Sequence, residues 1–368
     1  MKVLVTGAKG FIGKHFCRAL EREGDTVFPF DIGNTDEELL AFLAQSDFIV
    51  HLAGINRPLN SSEFYDGNFN FTKKLLDFVS LQKNSCPILF SSSTQAALEN
   101  DYGKSKRMAE ELLLEEMPRR KVFVYRLYNV YGPGARPSYN SVIATWCDAL
   151  THEKPISINE KNPTIDFVYI DDVVSCFFNA IHSKVEPSTK ENPVLYVEPF
   201  DKVPLLDVLN LLKSFKESRR DLNLPLQTGF SKKLYATYLS YLPENEFAYP
   251  LTSHLDVRGS FTEFLHIPSY GQVSVNVSHP GIAKGNHYHE TKNEKFLCVS
   301  GSVLIKLRKI GTDKVLSYYL SENDLKVVDI APGYTHSITT LGEKDSVTIM
   351  WANEPFDPLH PDTYHEDV

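Results

Sequence analysis

A chain of 368 residues exceeds what one hydrophobic core usually serves, so about two domains are expected. Its formal net charge of −9 argues against a nucleic-acid binder, and no apolar run approaches the roughly 20 residues of a membrane-spanning helix. Five cysteines, with no C-x-x-C pair, read as reduced thiols of a cytoplasmic protein rather than a disulfide framework.

From the N-terminus, short apolar runs alternate with amphipathic stretches. The pattern predicts strands at 3–6, 26–30, 48–52 and 88–91 and helices at 13–23, 37–45, 70–82 and 102–116, the last capped by Asn100 or Asp101. Such alternation specifies a doubly wound, Rossmann-type α/β parallel sheet. Residues 130–240 are mixed in pattern and suit a smaller substrate-binding lobe. An aromatic, proline-punctuated stretch places the junction near 243–250, giving domains 1–245 and 246–368. Beyond it the period becomes two: 272–278, 303–308 and 347–351 alternate between glycine turns, which predicts an antiparallel all-β domain, a small barrel or jelly roll.

The stretch Thr6-Gly7-Ala8-Lys9-Gly10-Phe11-Ile12-Gly13 closes the first strand and opens the first helix. Gly7 permits the turn, Gly10 lets the backbone approach a pyrophosphate, and Gly13 permits close helix–strand packing. Gly7, Lys9, Gly10, Phe11, Ile12 and Gly13 are thus candidate dinucleotide contacts, with the helix N-terminus facing the phosphates. Asp31, 18 residues past Gly13, either accepts hydrogen bonds from the ribose hydroxyls of NADH or caps a turn. Tyr102 and Lys106 stand at i and i+4 on one helical face, where an ammonium would lower the phenol pKa for proton transfer. Ser91–Ser93 end a strand at the sheet edge where ligands bind, so one hydroxyl can hold a substrate oxygen. In the β region His287 and His289 share a strand face. With Glu294 and His336 they form a donor set suited to zinc or another divalent first-row metal.

Gly7–Gly13, His51-Leu-Ala-Gly54, Asn68, Ser91–Ser93 and Tyr102/Lys106 resemble the extended short-chain dehydrogenase/reductase family in its nucleotide-sugar branch. Tyr125–Gly134 and Ile165–Asp172 match two further stretches, so the resemblance covers about 1–240. It implies that Tyr102 is the catalytic acid/base and that Lys106 contacts the nicotinamide ribose. It implies also that Ser93, or else Ser92, orients the substrate carbonyl, that Leu52, Ala53 and Gly54 adjoin the cofactor, and that Asn129 touches the sugar nucleotide. Only eight residues separate Ser93 from Tyr102, fewer than that family usually has, which shortens the loop over the sugar.

The spacing G-x5-H-x-H-x4-E-x6-G from Gly281 to Gly301 resembles the first cupin motif. Gly333–His336 is a looser second motif, with Ala331 and Thr340 where proline and asparagine are usual. Asp256–Glu263 and Lys284–His287 are similar to the sugar-nucleotide 3,5-epimerase cupins. That likeness puts Arg258 near the nucleotide phosphates and gives His287 a proton-abstracting role that competes with metal binding. Lys284, Lys292, Lys295 and Tyr334 are further candidates for the base.

As a whole the chain resembles the bifunctional capsular-polysaccharide enzymes of the CapF type. The resemblance implies a UDP-activated amino deoxy sugar as substrate, C3 epimerisation of a 4-keto sugar in the cupin, C4 reduction with NADPH in the reductase, and a homodimer. NADPH conflicts with the NADH reading of Asp31, and the choice stays open. Two rival readings are a reductase whose cupin only binds sugar or builds the dimer, and an NAD(P)-sensing regulator. The complete Ser/Tyr/Lys set opposes the latter, since a sensor needs no proton donor.

Overall fold

The structure is a computed structural model that describes residues 1–158, 161–267, 270–290 and 292–368. Two compact units are present: Met1–Leu212 with Lys233–Leu242, and Lys213–Lys232 with Pro243–Val368.

In the first unit, β1 (Lys2–Thr6), β2 (Thr26–Phe30), β3 (Phe48–His51), β4 (Ile88–Ser93) and β5 (Val122–Leu127) pair in parallel in the order β2-β1-β3-β4-β5. Its helices are α1 (Phe11–Arg22), α2 (Asp36–Leu43), α3 (Ser62–Phe64), α4 (Phe71–Leu81), α5 (Asp101–Leu114), α6 (Val142–Thr151) and α7 (Ile170–Ile181), while α8 (Leu205–Asp221) and α9 (Gly229–Leu239) are each divided between the units, with residues 213–232 in the second. Successive strand residues join opposite cores. Val3, Val5, Phe48, Val50 and Leu89 pack with Phe16, Leu20 and Phe177 on one face. Leu4, Ile49, Ile88 and Phe90 pack with Leu75, Leu113 and Ala109 on the other. A sheet covered on both faces needs such continuous apolar strands, which is why the runs read V-L-V and F-I-V. The strand order reverses at β1, between β2 and β3, and the Gly7 loop leaves β1 at that switch point. A small sheet of β6 (Asn129–Tyr131), β7 (Thr164–Tyr169) and β8 (Asp201–Pro204) adjoins the C-terminal part of this unit's sequence. The helix expected to begin near residue 70 instead begins at Ser62 and passes through a π-helical stretch, Tyr65–Asn70, before α4.

The second unit carries β9 (Ser253–Asp256), β10 (Gly259–Ile267), β11 (Gly271–Ser278), β12 (Ala283–Tyr288), β13 (Glu294–Ser300), β14 (Ser302–Lys309), β15 (Val315–Ser321), β16 (Val327–Ile330), β17 (Tyr334–Leu341), β18 (Ser346–Ala352) and β19 (Tyr364–His365). They form two antiparallel sheets, β16-β13-β18-β11-β10-β9 and β15-β14-β17-β12-β19. Phe296, Val303, Ile305, Leu320, Ile330 and Ile338 fill a core, as the period-two pattern requires. Segment 213–232 joins this unit, with Leu224 N–H and Leu222 C=O bonded to the main chain of His266. The β12–β17 ladder slips between Gly285 and His287, with φ of +102° at Gly285 and +56° at Asn286. A Cβ at Gly285 would lie 2.7 Å from the His336 carbonyl oxygen, so glycine permits the bulge that aims His287.

Candidate active site and metal centre

The glycine loop is sterically specified. Gly7 has φ +70°, and a Cβ there would stand 2.7 Å from Ala53 N, so the loop after β1 touches the loop after β3. A Cβ on Gly13 would meet Gly7 O at 2.1 Å, which makes glycine obligatory where α1 leaves the strand. Leu52, Ala53 and Gly54 thereby share the switch-point crevice with Gly7–Gly13. Asp31 uses both carboxylate oxygens on main-chain donors, Lys9 N–H at 2.6 Å and Ile32 N–H at 2.7 Å. It therefore caps the loop, whichever cofactor is bound.

The three serines of β4 separate by strand alternation. The Ser92 hydroxyl donates to Glu110, whose carboxylate also takes two bonds from Arg126, at 2.9 Å and 2.7 Å. Ser92 is thus committed to a buried ion pair and unavailable to substrate. Ser91 lies buried, its hydroxyl 3.5 Å from the His51 carbonyl. Ser93 is the one whose hydroxyl lies beside the Tyr102 phenol. The eight-residue spacing is bridged by a 3₁₀ turn, Thr94–Ala97, and by Asn100, which accepts Gly103 N–H at 2.7 Å as the α5 cap. A Cβ at Gly103 would sit 2.2 Å from Gln95 O, so glycine lets the helix start this close to the strand end.

Burial raises the Tyr102 phenol to about 12, and the Ser93 hydroxyl opposes that rise. The expected depression by Lys106 is not what the geometry gives. The Lys106 ammonium is buried, donates to Ser91 C=O at 3.0 Å and lies 4.8 Å over the Phe90 ring. Burial lowers it to about 8, while Glu110, one turn on, works to keep it charged. Gly54 faces both Lys106 and Asn68: a Cβ there would approach Asn68 Oδ1 to 2.6 Å and Lys106 Nζ to 3.0 Å. Asn68, in the π-helical stretch, is fully bonded: Ile55 N–H to its Oδ1, and its amide to Ile55 C=O and to Ser105 Oγ. Ser105 in turn donates to Tyr102 C=O at 2.8 Å, which ties that stretch to α5. Asn129 is exposed at the start of β6 and donates to Asp166 C=O at 3.3 Å. Glu110 escaped the sequence reading, although Tyr102, Lys106 and Glu110 form an i, i+4, i+8 stripe.

In the second unit, donor atoms of His287, His289, Glu294 and His336 all lie within 4.8 Å of one another. Glu294 Oε2 is 3.5 Å from His289 Nε2 and 3.3 Å from His336 Nε2. Burial alone would raise the Glu294 carboxyl, but its two histidine neighbours outweigh it and bring it to about 2. Burial, then His336 and His289, push His287 down to about 4, which leaves a neutral imidazole with a lone pair. His289 Nε2, Glu294 Oε2 and His336 Nδ1 are buried without a hydrogen-bond partner. Two orphaned imidazoles and an orphaned carboxylate, gathered with His287 in one cluster, fit a divalent cation. Arg258 is exposed and bound to Asp256 two residues back, at 2.5 Å and 3.0 Å, so its guanidinium is locally neutralised. Among the candidate bases, Lys284 donates to Asn276 Oδ1 and Val277 C=O, and Lys292 to Pro361 C=O. Lys295 points to the face opposite Glu294 and pairs with Asp329 at 2.5 Å. Tyr334, half-buried, packs against the hydrophobic core.

Comparison with known proteins bears on both units. Residues 3–192 match the NAD dependent epimerase/dehydratase family and residues 254–364 the polysaccharide biosynthesis C-terminal domain. A UDP-2-acetamido-2,6-beta-L-arabino-hexul-4-ose reductase of Pseudomonas aeruginosa is 41% identical over 99% of this chain and 98% of its own length. The crystal structure of the capsular polysaccharide assembling protein CapF from Staphylococcus aureus is 46% identical, with a TM-score of 0.89 and all of each chain covered. UDP-glucuronic acid 4-epimerase from Bacillus cereus, in complex with NAD, shares the fold at 21% identity and a TM-score of 0.54, covering 66% of this chain and 96% of that one. With more than half its length in the first match, and a relative alike from end to end, the chain belongs to the NAD dependent epimerase/dehydratase family.

Proposed function

We propose that the chain is a bifunctional nucleotide-sugar enzyme. In this reading a cupin over 246–368 epimerises C3 of a UDP-2-acetamido-2,6-dideoxy-4-ketohexose. A reductase over 1–245 then reduces C4 with NADPH, NADH being the alternative. The product is UDP-2-acetamido-2,6-dideoxy-L-talose, for capsular or O-antigen polysaccharide, made by a cytoplasmic homodimer. The observation that carries the reading is the placement of Ser93, at the end of β4, beside Tyr102, at the start of α5, in a chain alike throughout to a UDP-2-acetamido-2,6-beta-L-arabino-hexul-4-ose reductase.

A nicotinamide held there would supply the hydride for C4. Ser93 holds the carbonyl oxygen, and Tyr102 delivers its proton to that oxygen as charge develops. Lys106, whose charged form Glu110 favours against burial, binds the nicotinamide ribose. Gly7, Lys9, Gly10, Phe11, Ile12 and Gly13 receive the pyrophosphate, beside Asp31, Leu52, Ala53 and Gly54. Asn129 and Arg258 bind the sugar nucleotide, Arg258 by exchanging Asp256 for phosphate.

In the cupin, a zinc ion held by His287, His289, Glu294 and His336 would act as a Lewis acid beside the ketone. The C4 carbonyl acidifies the C3 proton, because the resulting enolate spreads its charge onto oxygen. Lys284 and Lys292 remain candidates to move that proton, and neither is assigned.

Incubation with UDP-2-acetamido-2,6-dideoxy-4-ketohexose in deuterated water, with or without NADPH and chelator, tests the proposal by NMR. Deuterium at C3 without NADPH, loss of that exchange with chelator, and a reduced C4 with NADPH are expected. Absence of both exchange and reduction defeats it. A second reading is favoured by the count of donors: four protein ligands close a tetrahedral site, as in structural zinc. Reduction without C3 exchange would select it.

A further inference from the structure

We propose that the C-terminal segment from Asp357 onward braces the metal centre, with Asp362 as its positioning residue, and so sets how tightly and how long a divalent cation is held. The inference rests on reading His287, His289, Glu294 and His336 as metal ligands.

Asp362 touches one ligand and holds the chain that leads toward the next. Its main-chain carbonyl lies 2.5 Å from His289 Nδ1. A carbonyl only accepts, so Nδ1 carries the proton and Nε2 keeps its lone pair. That Nε2 is the buried, unpartnered atom 3.5 Å from Glu294 Oε2. The Asp362 carboxylate accepts Glu290 N–H at 3.0 Å on one oxygen and Lys292 N–H at 2.8 Å on the other. The connection from His289 to Glu294 therefore hangs from one side chain at two points. Asp362 stands at φ +40°, a left-handed conformation that Asp and Asn adopt more readily than other side-chain-bearing residues.

The same segment grips the other ligand-bearing strands. β19 pairs with β12, His365 opposite His287 and Tyr364 opposite Tyr288. The Tyr288 and Tyr364 rings stack at 5.2 Å, and Glu366 N–H donates to Asn286 C=O at 3.0 Å beside the bulge. Thr335, next to His336 on β17, donates its hydroxyl to Glu366 C=O. Arg308 fastens the end through Glu366 at 2.8 Å. β12, β17 and the residues leading from His289 toward Glu294 are thus tied to one terminal stretch. Outer-shell partners that fix the tautomer and direction of a ligating histidine govern affinity, and losing one typically costs about 10–100-fold.

The test uses full-length protein and zinc alone. Competition against a chromophoric chelator gives the affinity, and transfer into excess chelator gives the release rate. Wild type should bind zinc, Asp362→Ala about 10–100-fold more weakly with correspondingly faster release. Asp362→Asn, which keeps an acceptor and tolerates the left-handed backbone, should fall between. Far-UV circular dichroism and Trp351 fluorescence report whether each variant folds. A folded Asp362→Ala with wild-type affinity and release rate overturns the brace. So does a zinc-loaded wild type in which nitrogen-15 NMR finds His289 protonated on Nε2, a readout that needs no variant. Failure of wild type to take up zinc sinks the underlying metal reading instead.

Discussion

Replacing His51 should change how the first unit responds to acid. His51 is fully buried at the end of β3. The Thr72 hydroxyl donates to Asn68 C=O at 2.6 Å, so Thr72 Oγ1 can only accept from His51 Nε2, at 2.9 Å. Nε2 therefore carries the proton, and Nδ1 accepts from Thr6 Oγ1 at 2.7 Å. The neutral ring satisfies every partner. Protonating Nδ1 turns the Thr6 bond around inside the core, where burial, and secondarily the Lys106 ammonium, hold the imidazole down to about 3. An unfolded histidine ionises near 6.5, so between pH 6.5 and pH 3 the unfolded chain binds one proton more. Stability is untouched above that window, falls as pH drops through it, and reaches its full loss below about 3. From pH 7 to pH 5 the loss is about 2 kcal/mol, from about 1.4 kcal/mol per unit over roughly 1.5 units. Urea unfolding can isolate this unit, because Trp146 lies in it and Trp351 in the other, so a Trp351→Phe background leaves one reporter. His51→Gln should be less stable than its parent at pH 7, and its deficit should shrink by about 2 kcal/mol by pH 5. A deficit equal at both pH values would refute a histidine held neutral.

Tyr102→Phe removes the proton donor beside Ser93 while keeping the ring packed against Phe64, so ketone reduction should fall about 10²–10⁴-fold with cofactor binding retained. NAD(P)H oxidation and a nicotinamide fluorescence titration separate the two effects. Glu110→Ala leaves Arg126 and the Ser92 hydroxyl without their buried partner; since Arg126 is partly exposed, the low end of the usual cost, about 3 kcal/mol, is expected by Trp146-monitored unfolding. Gly7→Ala forces a Cβ to within 2.7 Å of Ala53 N at φ +70°, and should abolish cofactor binding in equilibrium dialysis before it abolishes folding.

Much of the first unit was legible because its signals are local. Apolar runs at 26–30 and 48–52 stand within a residue of β2 and β3, and the glycine needed at 13 is demanded by Gly7 and Ala8, a few residues back in the chain. The donor set of the second unit was legible for a similar reason. His287 and His289 share a strand face by period, and the later His336 pairs with His287 across the β12–β17 ladder. The π-helical stretch before α4 was not legible. It adds no apolar period of its own, and its stabilising partner, the Asn68 amide, bonds Ile55 and Ser105 from two distant segments. Asp362 was missed likewise: it stands 73 positions after the His289 it orients, and no spacing rule joins them.

The short interval between Ser93 and Tyr102 shows how a local departure is absorbed. With residues 94–100 alone to turn from β4 into α5, the chain spends four on a 3₁₀ turn and starts the helix against it, which only glycine at 103 allows. That placement decides what each turn of α5 meets. Tyr102 reaches Ser93 at the strand end, Lys106 reaches Ser91 C=O one layer in, and Glu110 reaches Ser92 and Arg126 behind them. The three polar residues of the stripe engage the three serines in turn. A shift of the helix by one residue would break all three contacts together. The shortened loop therefore fixes the register of the proton-transfer set, and an inserted residue between 94 and 100 should disturb the Tyr102 phenol and the buried Glu110–Arg126 pair at once.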